Sequence, residues 1–253
     1  MGKFIKSEKQ IDNIRKSGII LSATLKELAK QVKPGVKPVD LDMLARELIE
    51  KKGGTPAFLG YKPEGALYPF PFALCVSVNE VIVHGRPSDN PLKEGDIVTL
   101  DLGVDWQGGI SDSAITIPVG KITKEAQHLI ELTSRALDKA IDEVKPGKTV
   151  GDIGHAVEKT VRLGGLNIVD GLTGHGVGEK VHEDPVIYNF GEPNTGMELK
   201  PGMVIAIEPM VSMGGKGIKQ LADDSFVTSD GSLSAQFEHT VLVTSGGNEI
   251  LTK

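Results

Sequence analysis

Two acidic residues, one in each half of the chain, end apolar stretches at the same distance from a glycine. Asp101 lies six residues after Gly95, and Glu208 lies six residues after Gly202. A carboxylate in an apolar strand is costly to desolvate unless a cation or a hydrogen-bond network compensates its charge. The repeated position therefore indicates that both acids share the same kind of partner.

A second pair of acids also lies at a matching distance from a glycine, but at the start of an apolar stretch instead of at its end. Asp112 opens an apolar stretch eight residues before Gly120, and Glu238 opens one eight residues before Gly246. Four acids at repeat-related positions predict one shared cation site between the two halves of the chain.

A histidine lies between the acids of the two halves, in the glycine-rich segment 171–185. His175 would add one imidazole nitrogen to the four carboxylates. Oxygen-rich sites with an imidazole suit Mn, Fe, Co or Zn better than Ca or Mg. Four carboxylates are too many for one catalytic ion with an open position, and they suit two ions about 3.5–4 Å apart. Such a pair activates water and polarises a carbonyl, so the predicted chemistry is hydrolysis.

Each candidate residue also has a structural interpretation. A single Asp or Glu beside an apolar strand is more often a surface residue or a helix cap, and only the repeat favours metal ligation. His84 ends a strand at a glycine turn, where a structural role and a site role are equally compatible with the sequence. His239 follows Glu238 directly, so strand alternation points it to the opposite face. Cys75 lies among apolar residues and is interpreted as a packed thiol.

Paired helices are predicted in each half to support these strands. The sequence Val-Lys-Pro-Gly at 32–35 recurs at 144–147, with apolar residues at helical spacing on both sides of each copy. This spacing predicts helices over about 7–32 and 123–144, each followed by a Pro-Gly turn and a second helix that ends at a Gly-Gly pair. Residues rich in Val, Ile and Leu predict strands near 74–84, 96–104, 110–119, 167–175, 203–211 and 237–244.

The length fits one large α/β or α+β domain or two small ones. The chain has 253 residues, of which 39% are hydrophobic and 25% charged, as is ordinary for a globular protein. Because no linker or low-complexity tract divides it, residues 1–253 are predicted to form one pseudo-symmetric domain with halves of roughly 1–120 and 121–253.

The charge and the cysteine content limit the partners and the compartment. A net charge of −6 provides no global basic field for DNA or for an anionic membrane. Cys75 is the only cysteine, so no intrachain disulfide is possible, which is compatible with a reducing compartment. No segment has the character of a secretion signal or a membrane span. We therefore expect a cytoplasmic monomer with no DNA or membrane partner.

These motifs, in this order, resemble those of the methionine aminopeptidases, in the pita-bread family. The resemblance covers almost the whole chain, and only 26 residues separate His182 from Glu208. That distance leaves no room for the long helical insertion of the type 2 enzymes, so the chain resembles the compact type 1 enzymes. The matching segments are 77–85, those around Asp101 and Asp112, 174–182, 207–210 and 232–240.

The resemblance implies a fold and an activity. The fold is the α+β pita-bread fold, in which two helix-helix-sheet halves related by a pseudo-twofold axis enclose a dinuclear metal site. The activity is removal of the initiator methionine from nascent polypeptides when the second residue is small. Nascent N-termini are then the expected partners, with transient contact with the ribosome.

The resemblance also implies individual roles. Glu208 would help to take the proton from the attacking water. His84 would lie near the scissile amide, and His182 would hydrogen-bond the substrate carbonyl or the developing oxyanion. The ligands of two divalent cations (Mn, Fe, Co or Zn) would be Asp101, Asp112, His175, Glu208 and Glu238, with Asp112 and Glu238 bridging.

The methionine pocket departs from the family pattern. Family pockets carry an aromatic residue just before the second motif histidine, where this chain has Val181, and Gly103 stands where some relatives carry Thr. Tyr61 and Cys75 match substrate-side positions. The segment 62–74 is longer than in compact relatives, and we expect one of its aromatics to replace part of the missing wall: Tyr68, Phe70 or Phe72.

Three other interpretations explain fewer of these motifs. A proline-specific aminopeptidase or creatinase-like hydrolase of the same fold usually carries a separate N-terminal domain, for which this chain has no room. A pita-bread binding module without activity would not keep all five ligand positions. A metal-storage protein would not explain His84 and His182.

Overall fold

The computed structural model describes residues 4–62 and 68–253. These residues contain two pairs of α-helices: α1 (Glu8–Gln31), α2 (Pro38–Lys51), α3 (Lys124–Asp142) and α4 (Val150–Leu163). Ser7 and Gln10 form a capping box at the start of α1, and Thr149 and Asp152 form one at α4. Such caps satisfy the free backbone amides of a first turn. The predicted helix pairs are confirmed, and none of these described helices is long and apolar enough to cross a membrane.

Glycines at matching positions of the repeat take up matching backbone conformations. In the turns between paired helices, φ is 92° at Gly35 and 84° at Gly147. In the loops that lead into the acid-bearing strands, φ is 95° at Gly95 and 91° at Gly202. Residues with a Cβ rarely adopt such angles, so the repeat in the sequence reflects one backbone requirement in each half.

The strands of the described residues pair antiparallel and form four sheets. Their bounds are β1 (Thr55–Pro56), β2 (Leu74–Val78), β3 (Val81–Val83), β4 (Ile97–Trp106), β5 (Gly109–Pro118), β6 (Asn167–Ile168), β7 (Gly174–Gly176), β8 (Glu183–Ile187), β9 (Val204–Ile207), β10 (Met210–Ser212), β11 (Ile218–Gln220), β12 (Phe226–Thr228), β13 (Ser234–Gln236), β14 (His239–Thr244) and β15 (Gly247–Ile250).

Two larger sheets correspond to the two halves of the chain. The first-half sheet has the order β1-β4-β2, with β5 also paired to β4, and the second-half sheet has the order β15-β14-β9-β7-β8. The smaller sheets are β13-β10-β6 and β11-β12-β3. Because β3 belongs to the first half and its neighbours to the second, this last sheet links the halves.

Each helix pair covers the sheet of its own half. Leu25 of α1 packs in one buried cluster with Leu100 of β4. Leu129 of α3 packs in another with Ile207 of β9. A third buried cluster draws on both halves, so apolar contacts also hold the halves together: Ile14, Phe58, Cys75, Ile110, Val177, Val181, Val204, Ala206, Leu242 and Leu251.

Three predicted strands differ from the observed ones. The predicted strand 74–84 is divided into β2 and β3, with Asn79 between them at φ 57°. The predicted strand 203–211 is broken between β9 and β10, at Glu208 and Pro209. Pro209 has no N–H to contribute to a ladder. The predicted strand 167–175 is divided into β6 and β7, with Gly171 between them at φ 79°.

Candidate metal centre and substrate pocket

The first pair of acids lies on one face of the β4–β5 hairpin. Asp101 is paired with Ala114, and Asp112 is paired with Gly103. Paired residues and residues two apart share a sheet face, so the two aspartates are diagonal neighbours on the same face. Both are buried, with 8% of Asp101 and 3% of Asp112 exposed.

The second pair lies at the edge where two strands of the other sheet meet. Glu208 directly follows β9 and Glu238 directly precedes β14, and the adjacent residues Ile207 and His239 are paired. His175 lies in β7, opposite Ala206 of β9. The second-half sheet therefore presents two acids and one imidazole together.

Hydrogen bonds between the halves bring the two pairs of acids together. The backbone N–H of Glu238 donates to the carbonyl of Ala114 at 2.9 Å, and that of Asp112 donates to Oγ1 of Thr240 at 2.9 Å. Ligand atoms of Asp112, His175 and Glu238 all lie within 4.8 Å of one another. Nε2 of His175 is 3.4 Å from Oε1 of Glu208.

The donor set fits divalent cations. Three buried carboxylate oxygens find no hydrogen-bond donor among the described residues: Oδ1 of Asp101, Oδ1 of Asp112 and Oε1 of Glu238. Buried polar atoms are nearly always paired, so these oxygens are oriented for a partner outside the polypeptide. Nδ1 of His175 lies 2.9 Å from the carbonyl of Gly176, which leaves Nε2 for a metal.

The electrostatics of the cluster support this interpretation. Burial raises the pKa of Asp101 to about 7. Burial, and then the charges of the neighbouring acids, raise the pKa values of Asp112, Glu208 and Glu238 well above their usual range. Burial also lowers the pKa of His175 to about 4, so the imidazole is neutral and able to ligate. Four ionised acids would repel one another here unless cations compensated them.

All predicted site residues line a single cavity of about 770 Å³. One side of the cavity is acidic and carries the candidate metal ligands. Another part of the lining is largely apolar and carries Tyr61, Cys75, Val181 and further aromatic rings. The predicted residues in its lining are Tyr61, Cys75, His84, Asp101, Asp112, His175, Val181, His182, Glu208 and Glu238.

His182 lies between the acidic side and Tyr61. The hydroxyl of Tyr61 is 3.1 Å from Nδ1 of His182. The rings of His182 and His175 meet edge to face, with centroids 4.5 Å apart. Burial and the neighbouring His175 lower the pKa of His182 to about 3, so the ring is neutral. When the tyrosine hydroxyl donates to Nδ1, Nε2 carries the proton and acts as a neutral donor.

His84 also lines the cavity. Its turn position alone was equally compatible with a structural role and a site role, and the family resemblance implied the site role. Its φ is 59°, in the left-handed region that is unfavourable for a residue with a side chain. A hydrogen bond to the backbone of Asp224 and an edge contact with Phe226, at 5.7 Å between ring centroids, hold the imidazole in place. Burial lowers its pKa.

Only some of the described residues in the segment 62–74 line the cavity. Tyr68 and Phe70 line the cavity, with Tyr68 70% exposed, whereas Phe72 does not line it. Residues 63–67 of this segment lie outside the described part of the chain.

Two residues of the site were not predicted from the sequence. Gln236 donates a hydrogen bond to Glu208, and Phe58 lines the apolar side of the cavity. Gln236 stands two residues before Glu238, where strand alternation alone would have placed it on the same face. Phe58 carries no comparable signal, because it is an ordinary aromatic residue in a loop.

The sequence matches metallopeptidase family M24 over residues 12–245. Among curated relatives, the methionine aminopeptidase of Clostridium perfringens is 45% identical over 98% of both chains. The methionine aminopeptidase of Aquifex aeolicus is 46% identical over 98% of this chain and 97% of its own.

Solved structures agree with this match. The methionine aminopeptidase of Rickettsia prowazekii has a TM-score of 0.94 and 38% identity, covering 98% of this chain and 99% of its own. The Thermotoga maritima enzyme has a TM-score of 0.93 and 42% identity, covering 98% of both chains. A prolidase from Pyrococcus furiosus has a TM-score of 0.77 and 26% identity, and this chain covers 66% of it. These likenesses confirm the predicted pita-bread fold, and the chain belongs to metallopeptidase family M24, among the methionine aminopeptidases.

Proposed function

We propose that this protein hydrolytically removes the initiator methionine from nascent polypeptides whose second residue is small. The observation that carries the proposal is the cavity itself. Five ligand-type side chains and two neutral histidines converge in it, and a largely apolar part of its lining, suited to a methionine side chain, adjoins them at Cys75, which is paired with Asp101. The similarity of the whole chain to methionine aminopeptidases supports the same activity.

Two divalent cations of the Mn, Fe, Co or Zn class would be held by the acidic side of the cavity. Bound there, they would polarise the scissile carbonyl and make water more acidic. The ligands would be Asp101, Asp112, His175, Glu208 and Glu238. The unpaired oxygens of Asp101, Asp112 and Glu238 support this assignment.

Glu208 is proposed as the base that accepts a proton from the attacking water. Gln236 donates to its Oε2 at 2.9 Å, so the carboxylate has a defined orientation, and Oε1 faces His175. A base must have such a fixed orientation toward the proton that it takes.

His182 and His84 are proposed to act on the substrate amide. A neutral Nε2–H of His182, set by the Tyr61 hydroxyl, would donate to the carbonyl oxygen as negative charge develops on it. His84 would hydrogen-bond near the scissile nitrogen. Because their pKa values are lowered by burial, both rings stay neutral at physiological pH.

The substrate preference can be tested with peptides that differ in one position. Metal-loaded protein should release methionine from Met-Ala-Ser but not from Met-Leu-Ser, while X-Pro peptides should remain intact. Cleavage of X-Pro peptides without release from Met-Ala-Ser would instead favour the prolidase-like alternative. Ribosome contact, the compartment and the monomeric state remain predictions from the sequence.

A further inference from the structure

An ion pair joins the segment before α1 to the loop that carries His182. This loop, residues 177–182 between β7 and β8, is called the His182 loop below. Directly after it, Oε2 of Glu183 accepts a hydrogen bond from Nζ of Lys6 at 2.5 Å. Only 9% of the Lys6 side chain and 19% of the Glu183 side chain are exposed. The two residues are 177 positions apart, so their contact ties the start of the chain to the second half.

The same carboxylate also closes the His182 loop on itself. Oε1 of Glu183 accepts the backbone N–H of Glu179 at 2.6 Å and that of Lys180 at 2.9 Å. A carboxylate that accepts several hydrogen bonds at once has one defined orientation, and a cation on its other oxygen strengthens that arrangement. Lys6 therefore fixes the group that holds the backbone of this loop in place.

The stem of Lys6 also lies directly on the loop backbone. A Cβ atom added to Gly178 would lie 2.9 Å from Cε and 3.2 Å from Nζ of Lys6. The φ of Gly178 is 147°, which residues with a Cβ rarely adopt. At the two ends of the loop, Val177 and Val181 pack in one buried cluster with Ile14 of α1. The N-terminal segment and α1 thus support the loop together.

This support decides where the imidazole of His182 lies. The Tyr61 hydroxyl bonds Nδ1 and sets the tautomer of the ring, but the ring is carried by the backbone next to Glu183. A hydrogen-bond donor assists the reaction only when it is in position before negative charge develops. A displacement of about 1 Å can cost on the order of 100-fold in rate.

We propose that Lys6 is a positioning residue of the active site, which acts through Glu183 to hold His182 at its working distance from the metal centre. This inference rests on the proposed function, because it takes His182 as the donor to the developing oxyanion. Lys6 is not among the residues that line the cavity, so its effect reaches the substrate only through the loop.

The test uses Lys6→Met, which keeps an unbranched stem and removes the charge, in metal-loaded protein with Met-Ala-Ser. Lys6→Met should lower kcat by about tenfold or more with little change in KM, because the donor acts mainly in the transition state. Lys6→Arg keeps the charge and should recover most of the lost turnover. In a His182→Ala background, Lys6→Met should change kcat by less than about twofold, because the residue that it positions is already absent.

Lys30→Met is the matched control, because it removes an exposed ion pair with Glu27 on α1, and it should leave kcat unchanged. The inference is overturned if Lys6→Met keeps the wild-type kcat, or if it lowers kcat equally with and without the His182 ring. Thermal unfolding and bound metal identify general damage. If Lys6→Met does not fold, Glu183→Gln breaks the same ion pair from the other side and should give the same loss.

Hydrogen exchange separates this inference from the proposed function, because it needs no turnover. The amides of Glu179 and Lys180, which Glu183 holds, should exchange about tenfold faster or more in Lys6→Met and at the wild-type rate in Lys30→Met. If wild-type protein releases no methionine, the proposed function fails. Unchanged exchange of both amides in Lys6→Met would overturn the support of the loop by Lys6 in either case.

Discussion

Gln236 donates a hydrogen bond from Nε2 to Oε2 of Glu208 at 2.9 Å, and this bond joins β13 to the residue that follows β9. Both residues are buried, with 1% of Gln236 and 8% of Glu208 exposed. The bond leaves Oε1 of Glu208 facing His175, so Gln236 fixes the orientation of the proposed base without being a metal ligand itself.

The first prediction follows from this bond. Gln236→Ala should lower kcat for Met-Ala-Ser by about 10- to 100-fold with little change in bound metal, because Glu208 loses its fixed orientation. Steady-state kinetics and metal analysis measure the two quantities. Gln127→Ala is the control, since its amide also bonds a carboxylate, that of Glu131, but on the exposed surface of α3. Equal turnover in wild type and Gln236→Ala would contradict the orienting role.

The second prediction concerns His182. His182→Ala should lower kcat by roughly 100- to 1,000-fold, because the developing oxyanion loses a donor, while bound metal stays unchanged. Tyr61→Phe should reduce turnover less, because the imidazole remains but loses the hydroxyl that sets its tautomer. Unchanged turnover in His182→Ala would exclude the assigned role, and loss of metal in that variant would make His182 part of the metal centre instead.

The third prediction concerns the stability of metal-free protein at different pH values. Buried carboxyl groups with raised pKa stabilise the fold while they are protonated, and this contribution is lost as pH rises above the unfolded-state value of about 4. The buried histidines have lowered pKa values, so they destabilise the fold only as pH falls below 6.5. Between pH 6.5 and about 8 the carboxyl groups alone contribute, and the free energy of unfolding should be about 1–3 kcal/mol higher at the lower pH.

Urea unfolding of metal-stripped protein at these two pH values provides the measurement. Saturating Mn²⁺ should reverse the order, because bound cations compete with protons for the same carboxylates. Metal-free protein that is equally stable at both pH values would contradict the raised pKa values of the acidic cluster.

The fourth prediction concerns the anchor of the segment that carries Phe70 and Phe72. Asp42 of α2 is buried, and its Oδ1 accepts the backbone N–H of Ala73 at 2.7 Å and of Leu74 at 3.1 Å. Asp42→Ala should lower the free energy of unfolding by about 2–3 kcal/mol, because two buried donors lose their acceptor. Asp89→Ala, which removes an exposed partner of Lys37, should change it by less than about 0.5 kcal/mol. Similar losses in both variants would contradict the anchoring role.

Much of the architecture could be predicted because the repeat constrains it twice. The Lys-Pro-Gly turns and the helices around them were predictable since each turn requires a glycine with positive φ in both halves. The division of the predicted strand 74–84 was not, because it depends on hydrogen bonds of the Asn79 side chain with Asp96 and Ile97, which lie in another part of the chain. The single domain predicted for residues 1–253 stays a prediction.

Some residues of the site could be predicted from the sequence and others could not. The acids and histidines that were predicted for the site indicate chemistry by their residue type, and all of these predicted residues line the cavity. Phe58 was missed because its place in the cavity depends on packing with Cys75 and Val181, which are distant in sequence. The role of His84 followed only from the family resemblance, because a turn histidine in the left-handed region looks the same in the sequence whether or not it faces a site.

The central claim, that the acidic side of this cavity holds metal ions that serve hydrolysis, is tested most directly by methionine release from Met-Ala-Ser. Metal-stripped protein should release none, and stepwise addition of Mn²⁺, Fe²⁺ or Co²⁺ should restore release in wild type but not in Glu208→Ala. Release by the metal-stripped protein, or metal-dependent release that persists in Glu208→Ala, would contradict the account.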